Sequence, residues 1–348
     1  MINALFFMSS GLFLGWSLGA NDAANLFGTA VGTKMVKFKT AAIIISVFVI
    51  IGAVISGAGA SHTLGALGKV SKLPGAFIVA LAAAITVFGM TNFGLPVSTS
   101  QSIVGAIIGW NLFANITTDI NVLSKIVGTW VLCPVLSAVF AALFYFLFSN
   151  TIFKFKIHLL KLDQYTRIGL ILVGAFGAYS LGANNIANVM GVFTTSVNLP
   201  QLSIGNLYTL SSTQQLFLLG GIAISVGVFT YSKRVMMTVG TSIYKITPVA
   251  ALIVVLSSST VLFLFASESL KIWLTSRGLP SFPLVPVSSS QAVVGAVLGI
   301  GLAKGGRNIN LKVLRNIGLG WVVTPLTSAL ISYISLFFMQ NVFLLNVY

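Results

Sequence analysis

The sequence predicts an all-α, polytopic helical membrane protein of about 10–12 transmembrane or re-entrant helices, in two inverted repeats with interrupted helices. Composition is the first observation behind this fold class. Of the 348 residues, 57% are hydrophobic and only 7% are charged, whereas about a quarter are charged in soluble globular proteins. The other two observations are a series of long apolar stretches and an internal duplication.

Ten apolar stretches, five in each half of the chain, are each predicted to form a membrane helix or one arm of a re-entrant hairpin. They cover residues 4–32, 41–60, 75–90, 96–113, 122–148, 168–197, 216–231, 248–266, 286–302 and 317–338. At about 20 residues per crossing, the hydrophobic residues suffice for at most about ten crossings. Full crossings and re-entrant hairpins both remain open, because two hairpin arms leave the chain on the same side as two crossings do.

The basic residues predict the orientation of the chain in the membrane. Nineteen Lys and Arg against four Asp and Glu give a net charge of +15, but they form no basic stripe with interleaved aromatics, so nucleic acid is not an expected partner. Fourteen of them form four clusters between apolar stretches: Lys34, Lys37 and Lys39; Lys154, Lys156, Lys161 and Arg167; Lys233, Arg234 and Lys245; Lys304, Arg307, Lys312 and Arg315. Because cytoplasmic loops collect Lys and Arg, these clusters are predicted to be cytoplasmic and the N-terminus to lie outside the cell membrane.

Five crossings in the first half would bring the chain into the cytoplasm, so the second half is predicted to have the opposite orientation. The predicted organisation is a first inverted repeat at 1–150, a cytoplasmic linker at 151–167 and a second inverted repeat at 168–348. Membrane lipid is the expected surrounding, and the sequence leaves a monomer and a homodimer both open. The single cysteine, Cys133, excludes a disulfide framework and a thiolate metal site.

Two motifs recur in the same order in both halves. LGANDAAN at 18–25 returns as LGANNIAN at 181–188, and PVSTSQSIVGA at 96–106 returns as PVSSSQAVVGA at 286–296. A tryptophan and a proline follow each second motif, at Trp130 and Pro134 and again at Trp321 and Pro325. The shared order indicates a duplication, and inverted repeats typically place a binding site at their interface near the bilayer midplane.

The first motif places polar residues inside an apolar run and is predicted to interrupt a helix. Asn21 and Asn25 are four residues apart and share a helix face, as do Asn184 and Asn188. Polar groups at this depth are costly unless they face a cavity, which favours a binding site. The competing interpretation is close helix packing with hydrogen bonds between helices.

The second motif begins with a proline, which favours the first turn of a helix, and continues with hydroxyl residues and a glutamine. Free N–H groups and the positive end of the helix dipole make such a helix start an anion-binding arrangement. An ordinary N-cap at the membrane interface is the alternative. Two copies in inverted repeats would bring two helix ends face to face, which suits a small oxyanion.

Asp22 predicts that a cation accompanies the anion. Neither motif contains a Lys or Arg, and a carboxylate beside an anion repels it unless a metal ion or a proton lies between them. Carboxylate, amide and carbonyl oxygens are hard ligands that suit sodium. Cation coupling follows from this charge argument.

The paired motifs LGANDAAN and LGANNIAN, each followed by a PVS-hydroxyl segment, resemble those of the inorganic phosphate transporter (PiT) family. The tract from Arg234 to Pro248, RVMMTVG with KITP, resembles its second half. The resemblance implies secondary active uptake of inorganic phosphate, coupled to sodium in many members and to protons in others, with some relatives carrying sulfate. The sequence departs from the family at Asn185, where Asp is common, and at Gln101 and Gln291, where many members have Thr-His; a glutamate often found after the first signature is replaced around Val49.

Two candidate sites follow from the motifs and the resemblance. The candidate phosphate ligands are Asn25, Thr99, Ser100, Gln101, Ser102, Asn188, Ser289, Ser290 and Gln291. The candidate sodium ligands are Asn21, Asp22, Ser98, Asn184, Asn185 and Ser288. No cofactor is expected, and Na+ is the expected coupling ion.

The predicted function is a secondary active transporter that carries inorganic phosphate across the cell membrane in symport with sodium, by alternating access. A proton- or sodium-coupled sulfate transporter of the same family stays open as the alternative, although phosphate can donate a hydrogen bond to Asp22 or a glutamine carbonyl and sulfate cannot. A membrane enzyme acting on phosphoesters is disfavoured because the motifs hold no His or Lys and one carboxylate. An anion channel would more often use basic rings along its pore.

Overall fold

The computed structural model describes residues 2–92, 97–155, 158–204, 208–242, 247–305 and 311–348. Pro96, Lys156, Lys245 and Arg307, on which parts of the sequence predictions rest, lie outside the described residues, as do the side chains of Lys154 and Lys312. Every predicted site residue is among those described.

Thirteen α-helices make up most of the described chain. They are α1 (Ile2–Gly32), α2 (Phe38–Ser56), α3 (Ala58–Leu67), α4 (Leu73–Asn92), α5 (Thr99–Phe113), α6 (Ile120–Phe155), α7 (Leu159–Met190), α8 (Ser212–Thr230), α9 (Ser232–Ser242), α10 (Pro248–Ala266), α11 (Glu268–Thr275), α12 (Ser289–Ala303) and α13 (Leu311–Asn341). A 3-10 helix (Gly191–Phe193) follows α7, and two short strands, β1 (Leu202–Ile204) and β2 (Tyr208–Leu210), pair antiparallel with Leu202 opposite Leu210. The predicted all-α class is confirmed.

Each of the ten predicted apolar stretches contains a helix in the structure. Seven helices of the described chain are long and apolar enough to cross a membrane, namely α2, α4, α6, α7, α8, α10 and α13. Helices α5 and α12 have 15 residues each, about 22 Å of helix against a hydrocarbon core of about 30 Å. The multi-pass fold is therefore confirmed, whereas the short helices α3, α9 and α11 and the β-hairpin were not predicted.

The long helices present apolar side chains on the outside of the protein. Val131, Val135 and Val139 form an exposed row along α6, and Leu326 and Leu330 are exposed on α13. Extended apolar surface of this kind is typical of a face that contacts lipid or another apolar partner.

The two halves pack against each other through pairs of equivalent contacts. In each pair, a helix of the first half contacts a helix of the second half, and the counterparts of these two helices make the same contact. Helix α2 packs on α7 as α8 packs on α1, and α6 packs on α12 as α13 packs on α5. Gly19 lies against the carbonyl of Ile224, and its counterpart Gly182 lies against the carbonyl of Val49. A Cβ atom at either glycine would collide with the facing backbone, so the glycines permit this close approach.

The chain is non-helical at the second motif and helical throughout the first. Helices α1 and α7 continue unbroken through 18–25 and 181–188, so the predicted interruption at these positions is wrong. The asparagine side chains find hydrogen-bond partners inside the protein, and the helix backbone need not open. The chain is instead non-helical at 97–98 and 279–288, directly before α5 and α12. Pro286 is not in the first turn as predicted, because α12 begins at Ser289.

Candidate ion and anion site

Four segments of the chain meet at one buried polar centre. They are the second half of α1, the end of α7 and the first turns of α5 and α12, the same segments that carry the two repeated motifs. Thirteen of the fifteen predicted site residues are buried, and Asn21 and Asn25 are partly exposed. Because buried polar groups require partners, the hydrogen bonds among these residues define the geometry of the centre.

One side of the centre joins α1 to α12. The Ser289 hydroxyl donates to Asp22 Oδ2 at 2.7 Å, and Asn25 Nδ2 donates to the Ser289 oxygen at 3.3 Å. Asn21 Nδ2 donates to Asp22 Oδ1 at 3.1 Å. The carboxylate is therefore held by neutral donors from the first motif of one half and the second motif of the other.

The opposite side joins α7 to α5 with the halves exchanged. Asn188 Nδ2 donates to the Ser100 oxygen at 2.8 Å and to Asn185 Oδ1 at 2.9 Å. Asn188 thus takes the role that Asn25 has on the first side, but its partner Ser100 lies one position after Thr99, the counterpart of Ser289. The sequence could not predict these pairings, because either hydroxyl segment could have met either asparagine motif.

The non-helical segments before α5 and α12 hold the two helix starts together. The Ser100 hydroxyl donates to the carbonyl of Val287 at 3.1 Å, and the Ser290 hydroxyl donates to the carbonyl of Val97 at 2.8 Å. Asn184 bonds the same segment, with its Oδ1 accepting from the Val287 N–H at 2.9 Å. These bonds bring the first turns of α5 and α12 close to each other.

Three predicted ligands have their hydroxyl groups engaged in local structure. Ser98 Oγ accepts from the Gln101 N–H at 3.2 Å and Ser288 Oγ accepts from the Gln291 N–H at 3.3 Å, so both serines are N-caps. The Ser102 hydroxyl donates to the carbonyl of Ala83 in α4 at 3.1 Å, and its oxygen lies 3.2 Å from the hydroxyl oxygen of Ser328 in α13. These two partners lie on α4 and α13, and neither belongs to the two motifs.

Several buried polar atoms of the centre have no hydrogen-bond partner. Among the described residues of the two motifs, these atoms are Thr99 Oγ1, Gln101 Oε1, Asn185 Nδ2, Asn188 Oδ1 and Gln291 Oε1. Leaving one buried polar group unpaired costs about 1–3 kcal/mol. Five such atoms in one place indicate a site for a ligand that supplies the missing partners, and amide and hydroxyl groups suit both a hard cation and an oxyanion.

The charge of the centre is that of Asp22 alone. Its side chain is 2% exposed, and no basic side chain pairs with it in the described part of the chain, where the ion pair found is the exposed Arg167–Asp163. The described residues also contain no cluster of three His, Cys, Asp or Glu side chains. A cation at this centre would therefore be held by one carboxylate and neutral oxygens, which is hard-ligand chemistry suited to sodium.

Two tryptophans lie on helices that pack against α5 and α12, but in the sequence they served only as evidence of the duplication. The indole Nε1 atoms of Trp130 and Trp321 are buried and have no partner. They lie on α6 and α13, the helices that pack along α12 and α5. In both halves the tryptophan precedes the proline by four residues, and this repeated spacing could have identified the tryptophans as candidate residues of the site.

The multi-pass helical fold and its buried, paired polar centre define a membrane transporter. The chain belongs to the phosphate transporter family, whose family model matches residues 18–332. The predicted family membership is confirmed. Because the family is one of transporters, it also supports the prediction that the protein is not an enzyme.

Individual relatives cover almost the whole chain. A putative phosphate permease of Methanocaldococcus jannaschii is 29% identical, over 92% of this chain and 93% of its own length. The sulfate permease of Bacillus subtilis is 31% identical, over 93% of this chain and 84% of its own length. A solved structure described as the sodium-dependent phosphate transporter is similar with a TM-score of 0.73 and 25% identity, covering 96% of this chain and 99% of that one.

Proposed function

We propose that this protein is a symporter that couples the movement of sodium to the uptake of inorganic phosphate across the cell membrane. The observation that carries the proposal is Asp22, a buried carboxylate without a basic partner in the described chain, on segments whose motifs also carry unpaired polar atoms from both halves. The names of the relatives support phosphate as the substrate and sodium as the ion.

Sodium binds at the Asp22 side of the centre in this proposal. A buried carboxylate without a cation is strongly unfavourable, and Na+ compensates its charge without demanding nitrogen or sulfur ligands. Asn21 and backbone carbonyls add oxygen ligands on this side, and Asn185 Oδ1 adds one from the opposite side of the centre. The bound cation also removes the repulsion that Asp22 would exert on an anion nearby, which makes the binding of the two ions cooperative.

Phosphate binds between the first turns of α5 and α12. Both helices direct their positive ends and free N–H groups towards the region where Ser100 and Ser290 cross-link the two halves. Thr99 Oγ1, which has no partner, and Asn185 Nδ2 are available donors.

Alternating access is the proposed mechanism, with the two halves as inverted repeats. The exchanged contacts of Gly19 with Ile224 and of Gly182 with Val49 support an approximate two-fold relation between the halves. A site shared by two related halves becomes accessible from either side when one moves against the other. In this proposal the N-terminus is outside and residues 151–167 are cytoplasmic.

Sulfate is the second candidate substrate, because a sulfate permease is among the relatives of this chain. Both anions are tetrahedral, so the helix starts alone do not separate them.

Reconstituted protein in liposomes tests the proposal. Radiolabelled phosphate uptake is measured under an inward sodium gradient, under a proton gradient without sodium, and with no gradient. We expect accumulation with the sodium gradient only. Uptake driven by protons alone would contradict sodium coupling, and uptake of labelled sulfate in preference to phosphate would contradict the substrate.

A further inference from the structure

The two buried glutamines, Gln101 and Gln291, have carbonyl oxygens without a partner. Their side chains are 2% and 1% exposed, and in both the orphan atom is Oε1. Each lies in the first turn of its helix, three residues after the serine that caps it. The same acceptor is thus left free at the equivalent position of both halves.

A third glutamine in the same chain behaves differently in the same local sequence. Ser211 caps helix α8 in the sequence SSTQ at 211–214, and there Gln214 Oε1 accepts from the Ser211 N–H at 3.0 Å in a capping box. The helix starts at 98–101 and 288–291 read STSQ and SSSQ. Local sequence therefore favours a capping box at all three places, but the carbonyl oxygens of Gln101 and Gln291 do not form it.

We propose that the carbonyl oxygens of Gln101 and Gln291 accept a hydrogen bond from a protonated oxygen of the substrate, and so select phosphate over sulfate. This inference rests on the proposed function and concerns the same site. Phosphate keeps at least one P–OH group at neutral pH, whereas sulfate has none. A buried acceptor that stays unpaired opposes binding of the analogue that lacks the donor.

The indole N–H groups of Trp130 and Trp321 offer a competing explanation. Gly295 packs on Pro134 and Gly299 packs on Ala138, so α12 and α6 run parallel. Gln291 and Trp130 are each one turn before the Gly295–Pro134 contact, and they lie at the same level. An indole that served as the glutamine's partner would leave no acceptor for the substrate, but both atoms are unpaired.

Competition in proteoliposomes tests the inference. Uptake of radiolabelled phosphate is measured against unlabelled phosphate, sulfate and monofluorophosphate, which has the shape and charge of monohydrogen phosphate with fluorine in place of the hydroxyl group. We expect wild-type protein to bind phosphate at least about tenfold more tightly than either competitor. This comparison needs no variant, and equal inhibition by all three anions would overturn the inference.

Gln101→Met and Gln291→Met remove the acceptor at similar side-chain length. Loss of the amide N–H groups weakens all anions alike, so the readout is the ratio of phosphate to sulfate affinity, which we expect to fall about tenfold in each variant. Gln214→Met is the matched control, and its ratio should equal that of wild type. Trp130→Phe should also keep the ratio.

Two outcomes with the variants would contradict the inference. An unchanged ratio with weakened sodium dependence would assign the carbonyls to the cation, and a raised ratio in Trp130→Phe would show that the indole occupies the carbonyl oxygen in the wild-type protein. If wild-type protein takes up no phosphate, the proposed function itself is contradicted. Uptake by wild-type protein is measured before any variant is made, so the two failures are distinguishable.

Discussion

Asp22 and Asn185 occupy equivalent positions in the two halves but offer different chemistry. Asp22 accepts from Ser289 at 2.7 Å and from Asn21 at 3.1 Å. Asn185 Oδ1 accepts from Asn188 at 2.9 Å, while its Nδ2 has no partner. A carboxylate only accepts hydrogen bonds, whereas an amide also donates. One half therefore offers a negative charge to a cation and the other a neutral donor.

Replacing Asp22 by Asn is expected to abolish sodium-dependent phosphate uptake. The change keeps the size of the side chain but leaves a bound cation without its only charged ligand, a loss of about 3–5 kcal/mol for a buried pair. Sodium affinity, measured as the sodium dependence of uptake, should fall at least about a hundredfold. Asp119→Asn is the matched control, because exposed Asp119 caps α6 and asparagine caps equally well. Unchanged sodium dependence in Asp22→Asn would refute its role as a cation ligand.

Asn185→Asp is expected to strengthen sodium binding. A second carboxylate opposite Asp22 adds charge where an amide now stands, and a gain of about 1.4 kcal/mol would raise sodium affinity about tenfold. The measurements are the sodium concentration at half-maximal uptake and the Hill coefficient for sodium. We expect a lower half-maximal concentration together with a lower maximal rate, because tighter binding opposes release. If neither quantity changes, residue 185 does not contact a transported ion.

Helices α5 and α12 fit against their neighbours because glycines face backbone carbonyls. Gly105 lies against the carbonyl of Pro325, and Gly295 lies against that of Pro134. The facing prolines are inside α13 and α6. The same close contact recurs in both halves and holds the short helices whose first turns form the site.

Gly295→Ala is expected to destabilise the folded protein. The added Cβ would collide with the Pro134 carbonyl, and overpacking of this kind costs about 1–3 kcal/mol. The midpoint of thermal unfolding in detergent should fall. Gly128→Ala, on α6 where a Cβ meets nothing within 4 Å, is the matched control and should leave the midpoint unchanged or slightly raised. Equal midpoints in the two variants would show that the close contact does not limit stability.

At the scale of the whole molecule, the two halves share one site that neither completes alone. Asp22 of the first half is held by Ser289 of the second, and Ser100 of the first half receives Asn188 of the second. Relative motion of the halves would therefore rearrange the ligands of both ions together. This is the physical basis for coupling in the proposed mechanism.

Cysteine labelling tests the proposed orientation in the membrane. Lys69→Cys and Lys161→Cys place a thiol at exposed positions predicted to lie outside and in the cytoplasm. In intact cells a membrane-impermeant maleimide should label Lys69→Cys and spare Lys161→Cys, and both should react after permeabilisation. Native Cys133 is buried and should stay unlabelled throughout. The reverse pattern would place the N-terminus in the cytoplasm.

Local sequence was sufficient for the fold class, the ten apolar helices and the family. These properties depend on composition and on residues close together in the chain, such as the apolar run of α2 or the repeated asparagine motif. The same local reasoning failed at the first motif, where a break was predicted in α1. Partners from elsewhere satisfy Asn25 and Asp22, so the helix continues.

Only the tertiary structure decided which polar atoms are used and which stay free. Ser289 lies 264 residues from Asn25, and Ser100 lies 88 residues from Asn188. Ser98–Gln101 and Ser211–Gln214 have almost the same sequence, but Gln214 completes a capping box and Gln101 keeps a free oxygen. A hydrogen bond forms with whichever partner packing brings within reach, and packing of distant helices is not encoded in four neighbouring residues.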